Sequence, residues 1–279
     1  MSSWTRRGQM LRLIDGITVL IVAGVALFPI VWGLSTSLKQ TNRILEYPPR
    51  LIPDPVSFEH YTMLFATGIQ RYVLNSTLVS LLTVLLSLAV GAAAAYALAR
   101  FQFKGRRFLL LTIIAVMSIP LPSLMVPTYS FMAELGLLNT RTALVLLYTA
   151  YQLPIVVWVL FGFFQTLPQE LERAALIDGY TRFQALTKIV LPLSKTGLVA
   201  AGLFVLTFAW NDFVVALVMT SSDDIRTLPI AIYNYLGYYG REWGPLTASA
   251  MVSIVPVITV FVIFQRYFLS GVTGGGVKG

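Results

Sequence analysis

Six long apolar runs constrain the fold of this chain more than any other feature of its sequence. A helix that crosses a membrane needs about 20 mostly apolar residues, each adding about 1.5 Å of length. Charged residues make up only 11% of the chain, whereas an ordinary soluble domain contains about 25%. The sequence therefore predicts an all-α integral membrane protein with six transmembrane helices in a single domain, residues 1–279. The apolar runs cover residues 13–38, 72–98, 108–132, 143–165, 197–219 and 244–269.

Basic residues are distributed unequally between the alternate loops that join these runs. One side of the membrane would carry nearly twice as many Lys and Arg residues as the other. Because cytoplasmic loops are enriched in these residues, both termini are predicted to be cytoplasmic. The first run follows Arg6, Arg7 and Arg12 with no small-residue cleavage site after it, so it is predicted to be an uncleaved span. Contacts with anionic lipid, including those of the stretch 100–107, account for the net charge of +8 without a nucleic acid partner.

The longest predicted external segment, residues 39–70, contains the proline-rich sequence YPPRLIPDP. Its prolines exclude a long regular helix before Ser57, and a short amphipathic helix is predicted to follow. His60, the only histidine, is predicted to lie with Glu59 on the polar surface of that helix. One histidine and one carboxylate are too few ligands for a metal site, and a chain without cysteine forms neither disulfides nor thiolate sites.

A charged segment between the fourth and fifth runs, residues 166–195, is predicted to be a cytoplasmic loop of two short helices (the two-helix loop). Pro168 suits the first turn of the first helix, because its missing N–H has no partner there in any case. Gly179 is a natural stop for that helix. Thr181 and Gln184 have the spacing of a capping box, which predicts that a second helix begins directly afterwards.

The predicted surface of this loop combines small and apolar side chains. Ala174 and Ala175 leave a low surface, while Leu171, Leu176, Ile177 and Phe183 are apolar side chains on a segment with no evident packing partner. A surface of this kind suits docking into the groove of a partner protein. The alternative is an ordinary solvated loop whose helices satisfy only themselves.

The same loop contains a spaced pattern: Ala-Ala, three residues, Gly, nine residues, then Ile-x-Leu-Pro. This pattern resembles the EAA loop of inner-membrane permease subunits of bacterial ABC importers. The register set by the glycine places Arg173 at the glutamate position of the pattern, with Glu172 one residue earlier. The sequences FQFKGRR, AWNDF and GGGVKG are also similar to the carbohydrate-uptake, maltose-type branch. The matching loop positions are Ala174, Ala175, Gly179, Ile189, Leu191 and Pro192.

The resemblance implies a permease of the bacterial cytoplasmic (inner) membrane that forms half of the translocation path for a sugar, most typically a di- or oligosaccharide. Its partners would be a second related permease, two ATPase subunits and an extracytoplasmic substrate-binding protein. ATP and Mg would be held by the ATPase subunits, since this chain contains no G-x-x-x-x-G-K-[ST] phosphate loop and no cofactor is expected in it. The implied ATPase-coupling residues are Leu171, Glu172, Arg173, Ala174, Ala175, Ile177, Asp178, Gly179, Phe183, Leu191 and Pro192.

Six polar or aromatic side chains are candidates for lining the path of a sugar (the path candidates). Asp212, beside Asn211, is the clearest, because an ionisable group at membrane depth is costly and usually faces a cavity or a partner. Its alternative role is structural, with water or an interhelical hydrogen bond satisfying the carboxylate. Aromatic faces and amides suit sugars, and the remaining candidates are Tyr129, Tyr151, Gln152 and Trp210.

Two features predict how the spans are shaped and packed. The sequence GAAAA at residues 91–95 provides a small-residue face that allows helices to approach closely. Pro120, Pro122 and Pro127 are predicted to bend the third run, because each removes a backbone hydrogen bond.

Other functions stay open at this point. A secondary transporter driven by a proton or sodium gradient would use Asp212 as its ion site, although several midplane carboxylates are expected in that class. A membrane scaffold that transports nothing would need the docking loop but no polar path. Among ABC importers, a glycerol phosphate cargo is an alternative to a sugar.

Overall fold

The structure, a computed structural model, describes residues 2–237 and 242–274, with side chains over residues 15–237 and 242–265. Arg241 and Lys278, which contribute to the predicted orientation, lie outside the described residues, as does most of the GGGVKG sequence. The side chains of Arg6, Arg7 and Arg12 are likewise outside the described part.

Helices make up all of the long regular elements in the described residues, which contain no strand. This confirms the predicted all-α fold. A 3-10 turn at Leu121–Leu124 precedes the fifth helix, and a π-helical turn at Leu186–Val190 joins the eighth to the ninth. In chain order the helices are α1 (Ser2–Ser37), α2 (Glu59–Ala66), α3 (Ile69–Arg100), α4 (Arg106–Met117), α5 (Met125–Glu134), α6 (Arg141–Thr166), α7 (Gln169–Ile177), α8 (Arg182–Ala185), α9 (Leu191–Leu193), α10 (Lys195–Asn211), α11 (Val214–Met219), α12 (Leu228–Asn234) and α13 (Trp243–Gly274).

Within the described residues, four helical segments are long and apolar enough to cross a membrane by themselves. Six crossings result if each of two sharply bent helix pairs counts as one. The count of six spans therefore stays a prediction. The four single segments are Asp15–Ser37, Ile69–Arg100, Arg141–Thr166 and Trp243–Gln265.

The third apolar run differs from the single bent span that the sequence predicts. Its first part, α4, lies at 100° to the following segment, Leu121–Glu134. Pro120 lies in the break and has an extended backbone with ψ of 128°, and Pro122 lies in the 3-10 turn that begins the second segment. Prolines cannot donate the helical hydrogen bond, so the predicted bend occurs where expected, but it is too sharp to keep one helix continuous.

The fifth run is also interrupted, although the sequence predicts one helix over residues 197–219. Helix α10 ends at Asn211 and α11 begins at Val214, with Asp212 extended between them (φ −67°, ψ 128°). At its other end, α10 lies at 82° to the helical segment Arg182–Leu193. The polar pair at residues 211 and 212 thus stands at a helix end and not within a helix.

The chain divides into two compact units, Met1–Ile69 with Ile232–Val255, and Gln70–Ala231 with Pro256–Gly279. In the second unit, α3, α6 and α10 share a buried apolar core. A Cβ atom on Gly91 of α3 would lie 2.4 Å from Val156 Cγ1 of α6, so glycine permits this close approach. The GAAAA sequence thus packs against a neighbouring helix, as predicted.

In the first unit, the proline-rich segment is irregular and α2 begins at Glu59, as predicted. The prediction for His60 is wrong, because its side chain is buried with 2% of its surface exposed. Its Nε2 lies 3.0 Å from the carbonyl oxygen of Lys39. A Cβ atom on Gly244 would lie 2.1 Å from the His60 ring, so the glycine leaves room for it. This tertiary partner is invisible in the local sequence around His60.

Candidate functional site

The first helix of the two-helix loop begins and ends where its local sequence directs. Pro168 is the N-cap of α7 and lies one residue earlier than the predicted first turn. Glu170 and Glu172 occupy that turn, near the positive end of the helix dipole. Gly179 has a φ of 89°, a left-handed conformation that glycine adopts without strain, and it ends the helix as predicted.

The second helix begins with the predicted capping box. Thr181 Oγ1 accepts a hydrogen bond from the Gln184 N–H at 3.2 Å, and Gln184 Oε1 accepts one from the Thr181 N–H at 2.8 Å. From α8 the chain continues through the π-helical turn into α9, which contains Pro192. Both helices are thus held by local hydrogen bonds, which gives the loop a defined shape.

One side of the two-helix loop is turned away from the rest of the protein and is largely apolar. At about 3.6 residues per turn, Arg173, Ala174 and Ile177 fall on the same side of α7, and all three are exposed. Ile177 has 86% of its surface exposed, and Phe183 at the start of α8 has 73%. Leu171, at the edge of this side, is 46% exposed. The exposed apolar side chains of the loop, Leu171, Ala174, Ile177 and Phe183, are together called its apolar face.

The predicted coupling residues do not all share this surface. Ala175 and Glu172 are buried, with 6% and 3% of their surfaces exposed. The prediction that Ala174 and Ala175 form one exposed surface is therefore wrong, because successive helical residues point about 100° apart. Leu191 is half-buried. The exposed members of the predicted set are Leu171, Arg173, Ala174, Ile177, Asp178, Gly179, Phe183 and Pro192.

Glu172 points into the protein and forms a buried ion pair with Arg100 at the end of α3. Its Oε1 accepts a hydrogen bond from Arg100 Nε at 2.5 Å, and its Oε2 accepts one from the Tyr96 hydroxyl at 2.9 Å. Both charged side chains are only 4% exposed. Both carboxylate oxygens thus have partners within this chain, and Glu172 faces away from the exposed side of α7. Sequence reasoning missed this cluster, since Arg100 and Tyr96 precede Glu172 by 72 and 76 residues.

Two residues of the basic stretch 100–107 bind protein groups, although the sequence predicts lipid anchors. Arg100 Nη2 donates to the carbonyl oxygen of Leu167 at 3.3 Å, and Arg106 Nε donates to that of Leu98 at 2.7 Å. Both carbonyls lie at or near a helix end, where intrahelical donors are lacking. A guanidinium group carries five donors, so one arginine can satisfy such carbonyls and a carboxylate together.

Asp212, the clearest path candidate, is held by protein groups on one of its two oxygens. Its Oδ2 accepts a hydrogen bond from the Tyr148 hydroxyl at 2.9 Å and from the N–H groups of Val215 and Ala216 at 3.1 and 3.2 Å. These two N–H groups belong to the first turn of α11, which has no earlier helical carbonyls to bond. The carboxylate therefore stabilises the start of α11 and the burial of Tyr148, which favours the structural role for Asp212.

The other path candidates lie in different surroundings. Asn211 is exposed, and its Nδ2 donates to the carbonyl oxygen of Thr207 at 2.8 Å. Tyr151 donates to Thr128 Oγ1 at 3.3 Å, beside Tyr129, which is 43% exposed. Gln152 is half-buried.

Trp210 is buried and contributes to the wall of a cavity of about 290 Å³ between α3, α10 and α13. Trp210 alone among the path candidates lines it. Its walls are mostly apolar, with hydroxyl groups from α3 and α10. The lining residues are Thr77, Ser80, Leu81, Ala200, Leu203, Phe204, Leu206, Thr207, Trp210, Pro256, Val257, Val260 and Phe261.

Comparison with known proteins assigns the family. Residues 87–274 match the family described as "Binding-protein-dependent transport system inner membrane component". The chain belongs to this family. The matched residues include the two-helix loop and all six path candidates. A binding-protein-dependent permease is a membrane component that works with a separate ATPase, so this chain is a transport subunit and not an enzyme.

Relatives of this permease cover nearly its whole length. It is 41% identical to the sulfoquinovosyl glycerol transport system permease protein SmoH of Agrobacterium fabrum, over 98% of this chain and 95% of the relative. It is 37% identical to the trehalose transport system permease protein SugB of Mycobacterium tuberculosis, over 93% of this chain and 95% of the relative. Among solved structures, it shares the fold of a bacterial ABC transporter involved in the import of the acidic polysaccharide alginate. That match has a TM-score of 0.82 and 23% identity, over 94% of this chain and 98% of the other.

Proposed function

We propose that this permease imports a sugar, of the size of a di- or oligosaccharide, and that its two-helix loop binds an ATPase subunit. The family supports a binding-protein-dependent system, and the two relatives are named for a trehalose and a sulfoquinovosyl glycerol transport system. The single observation that carries the proposal is the apolar face, where Ile177 and Phe183 are 86% and 73% exposed on a loop fixed by its own caps.

The shape of the loop suits insertion into a groove of the ATPase. Because capping fixes both helices before binding, little conformational entropy is lost when the apolar face docks. Exposed Arg173, at the glutamate position of the family pattern, adds a positive charge beside that face. A carboxylate in the partner groove would complement this charge. ATP and Mg would be bound by the ATPase, and its closure would move the loop.

The complete importer would contain more than these two chains. A second related permease would supply the other half of the path, two ATPase subunits would power it, and an extracytoplasmic binding protein would deliver the sugar. In this arrangement the chain crosses the bacterial inner membrane six times in contact with lipid, with both termini and the two-helix loop in the cytoplasm and residues 39–70 outside. The two bent helix pairs would supply the additional crossings.

Five of the path candidates are proposed to contact the sugar, and Asp212 is proposed to support them. Exposed Asn211 presents an amide, and Tyr129, Tyr151, Gln152 and Trp210 present aromatic or amide groups that suit sugar hydroxyls. Asp212 would act mainly by holding α11 and Tyr148 in place, with its other oxygen facing the path. The capping role also counts against the ion-gradient alternative, in which Asp212 would bind the transported ion.

Reconstitution into proteoliposomes tests this proposal. The permease is purified with a second permease, an ATPase and a binding protein of the same transport system, and uptake of trehalose, sulfoquinovosyl glycerol and glycerol 3-phosphate is measured. We expect uptake of a glycoside, and we expect this uptake to require ATP on the side of the membrane that carries the two-helix loop. Uptake driven by a proton or sodium gradient without ATP would overturn the proposal, and uptake of glycerol 3-phosphate alone would overturn the sugar assignment.

A further inference from the structure

We propose that Glu172 is a positioning residue, and that Glu172, Arg100 and Tyr96 (the clamp) make the two-helix loop and the end of α3 move as one body. The proposal rests on the function proposed above, since it concerns how movement of the loop reaches a membrane-spanning helix. It assigns to Glu172 a role inside this chain in place of a contact with the ATPase.

The clamp connects three helices at one point. Glu172 belongs to α7, while Arg100 and Tyr96 occupy the last two turns of α3. Arg100 also donates to the carbonyl oxygen of Leu167, the C-cap residue directly after α6. Arg182 of α8 lies 5.7 Å from the ring centroid of Phe101, directly after α3, and so adds a second contact between the loop and this helix.

Burial makes the clamp resistant to separation. Arg100 and Glu172 are each 4% exposed, and separating them would leave two charges without partners in a site that water reaches poorly. The negative end of the α3 dipole also favours a cation at Arg100. By contrast, the apolar face is largely exposed and makes no comparable contact with the part of the chain that the structure describes. When a partner moves the apolar face, α7 therefore stays attached to α3 through Glu172, and α3 moves with it.

The ratio of solute imported to ATP hydrolysed tests this role in the assembled importer. Glu172→Gln keeps the shape of the side chain and removes its charge, whereas Arg100→Gln removes the charge of the partner and also shortens its side chain. We expect each variant to assemble and hydrolyse ATP but to lower the ratio by about 2- to 30-fold, the range for residues that carry coupling between sites. The double variant has no unpaired buried charge, and it is expected to match the worse single variant and not the product of both effects.

The control and the possible outcomes separate this proposal from the general function. Glu170→Gln removes an exposed carboxylate from the same turn of α7 and is expected to leave the ratio unchanged. If the wild-type complex couples normally and the Glu172→Gln and double variants keep its ratio, the clamp proposal is overturned while the importer assignment stands. If the wild-type loop does not bind an ATPase at all, the assignment itself fails.

A distance measurement tests the rigid connection directly. The chain contains no cysteine, so cysteines introduced at exposed Gln102 and Glu170 can each carry a spin label without competing thiols in the same chain. The clamp predicts that the distance between the labels is the same in the nucleotide-free and ATP-bound importer, and that in the Glu172→Gln variant it shifts or broadens with ATP. A change in the wild-type distance on ATP binding would refute the clamp.

Discussion

Truncation of the apolar face is expected to weaken ATPase binding by an amount that follows from its exposure. Full burial of an isoleucine or phenylalanine side chain contributes about 1.5–3 kcal/mol. Ile177 and Phe183 have 86% and 73% of their surfaces left to bury. Ile177→Ala and Phe183→Ala should therefore each cost about 1.5–2 kcal/mol of binding free energy, which corresponds to an increase in Kd of about 10- to 30-fold. The two effects should nearly add if the side chains enter separate parts of the groove.

The assay is the affinity of the purified ATPase for the permease in lipid nanodiscs, measured by biolayer interferometry. Leu45→Ala is the matched control, because it truncates a side chain that is 82% exposed in the predicted external segment. It should leave Kd unchanged. Thermal unfolding of each variant checks that the loop is intact. An unchanged Kd for both Ile177→Ala and Phe183→Ala would refute the assignment of the apolar face to ATPase binding.

Three further substitutions test individual parts of the structure. Gly179→Ala forces an alanine to a φ of 89° with nothing within 4 Å of its Cβ, so ATPase binding should weaken through about 1–2 kcal/mol of backbone strain. Gly179→Asn should bind better than Gly179→Ala, because asparagine tolerates this conformation. An equal loss of binding in both variants would indicate that the partner approaches the glycine itself. Asp212→Ala should lower the free energy of unfolding by about 2–4 kcal/mol, because it leaves the Tyr148 hydroxyl unpaired and uncaps α11. Asp212→Asn should unfold at a temperature close to that of the wild type. An Asp212→Ala variant that is stable but has reduced uptake would instead support the substrate role. Gly91→Ala should lower the free energy of unfolding by about 1–3 kcal/mol, because the added methyl group overpacks against Val156. Gly162→Ala has open space around its Cβ and should be neutral or stabilising in the same unfolding assay. Equal stability of the two variants would contradict the close packing of α3 on α6.

Local signals in the sequence predict the two-helix loop well. Gly179 needs a left-handed conformation, and Thr181 with Gln184 satisfies N–H groups at a helix start, so both features act within a few residues. The apolar runs likewise predict helices because their length and composition match a membrane. Each of these properties depends on residues that are neighbours in the chain.

The contacts that sequence reasoning missed involve partners that are distant in the chain. Glu172 is placed among the coupling residues by its position in a motif, but Arg100 and Tyr96 turn its side chain inward. Asp212 is a path candidate because carboxylates are costly in membranes, and Tyr148 with the start of α11 supplies the bonds that offset this cost. Proline content predicts a bend near Pro120, and the structure has two helical segments at 100° there in place of one kinked helix.

Site-specific photocrosslinking in native membranes tests the central claim most directly. A benzoylphenylalanine is introduced in place of Phe183 on the apolar face, and in a second variant in place of Tyr47, which is 92% exposed in the predicted external segment. Position 183 is expected to crosslink to an ATPase subunit, and position 47 is not. Absence of an ATPase crosslink from position 183 in a complex that still imports its solute would contradict the central claim.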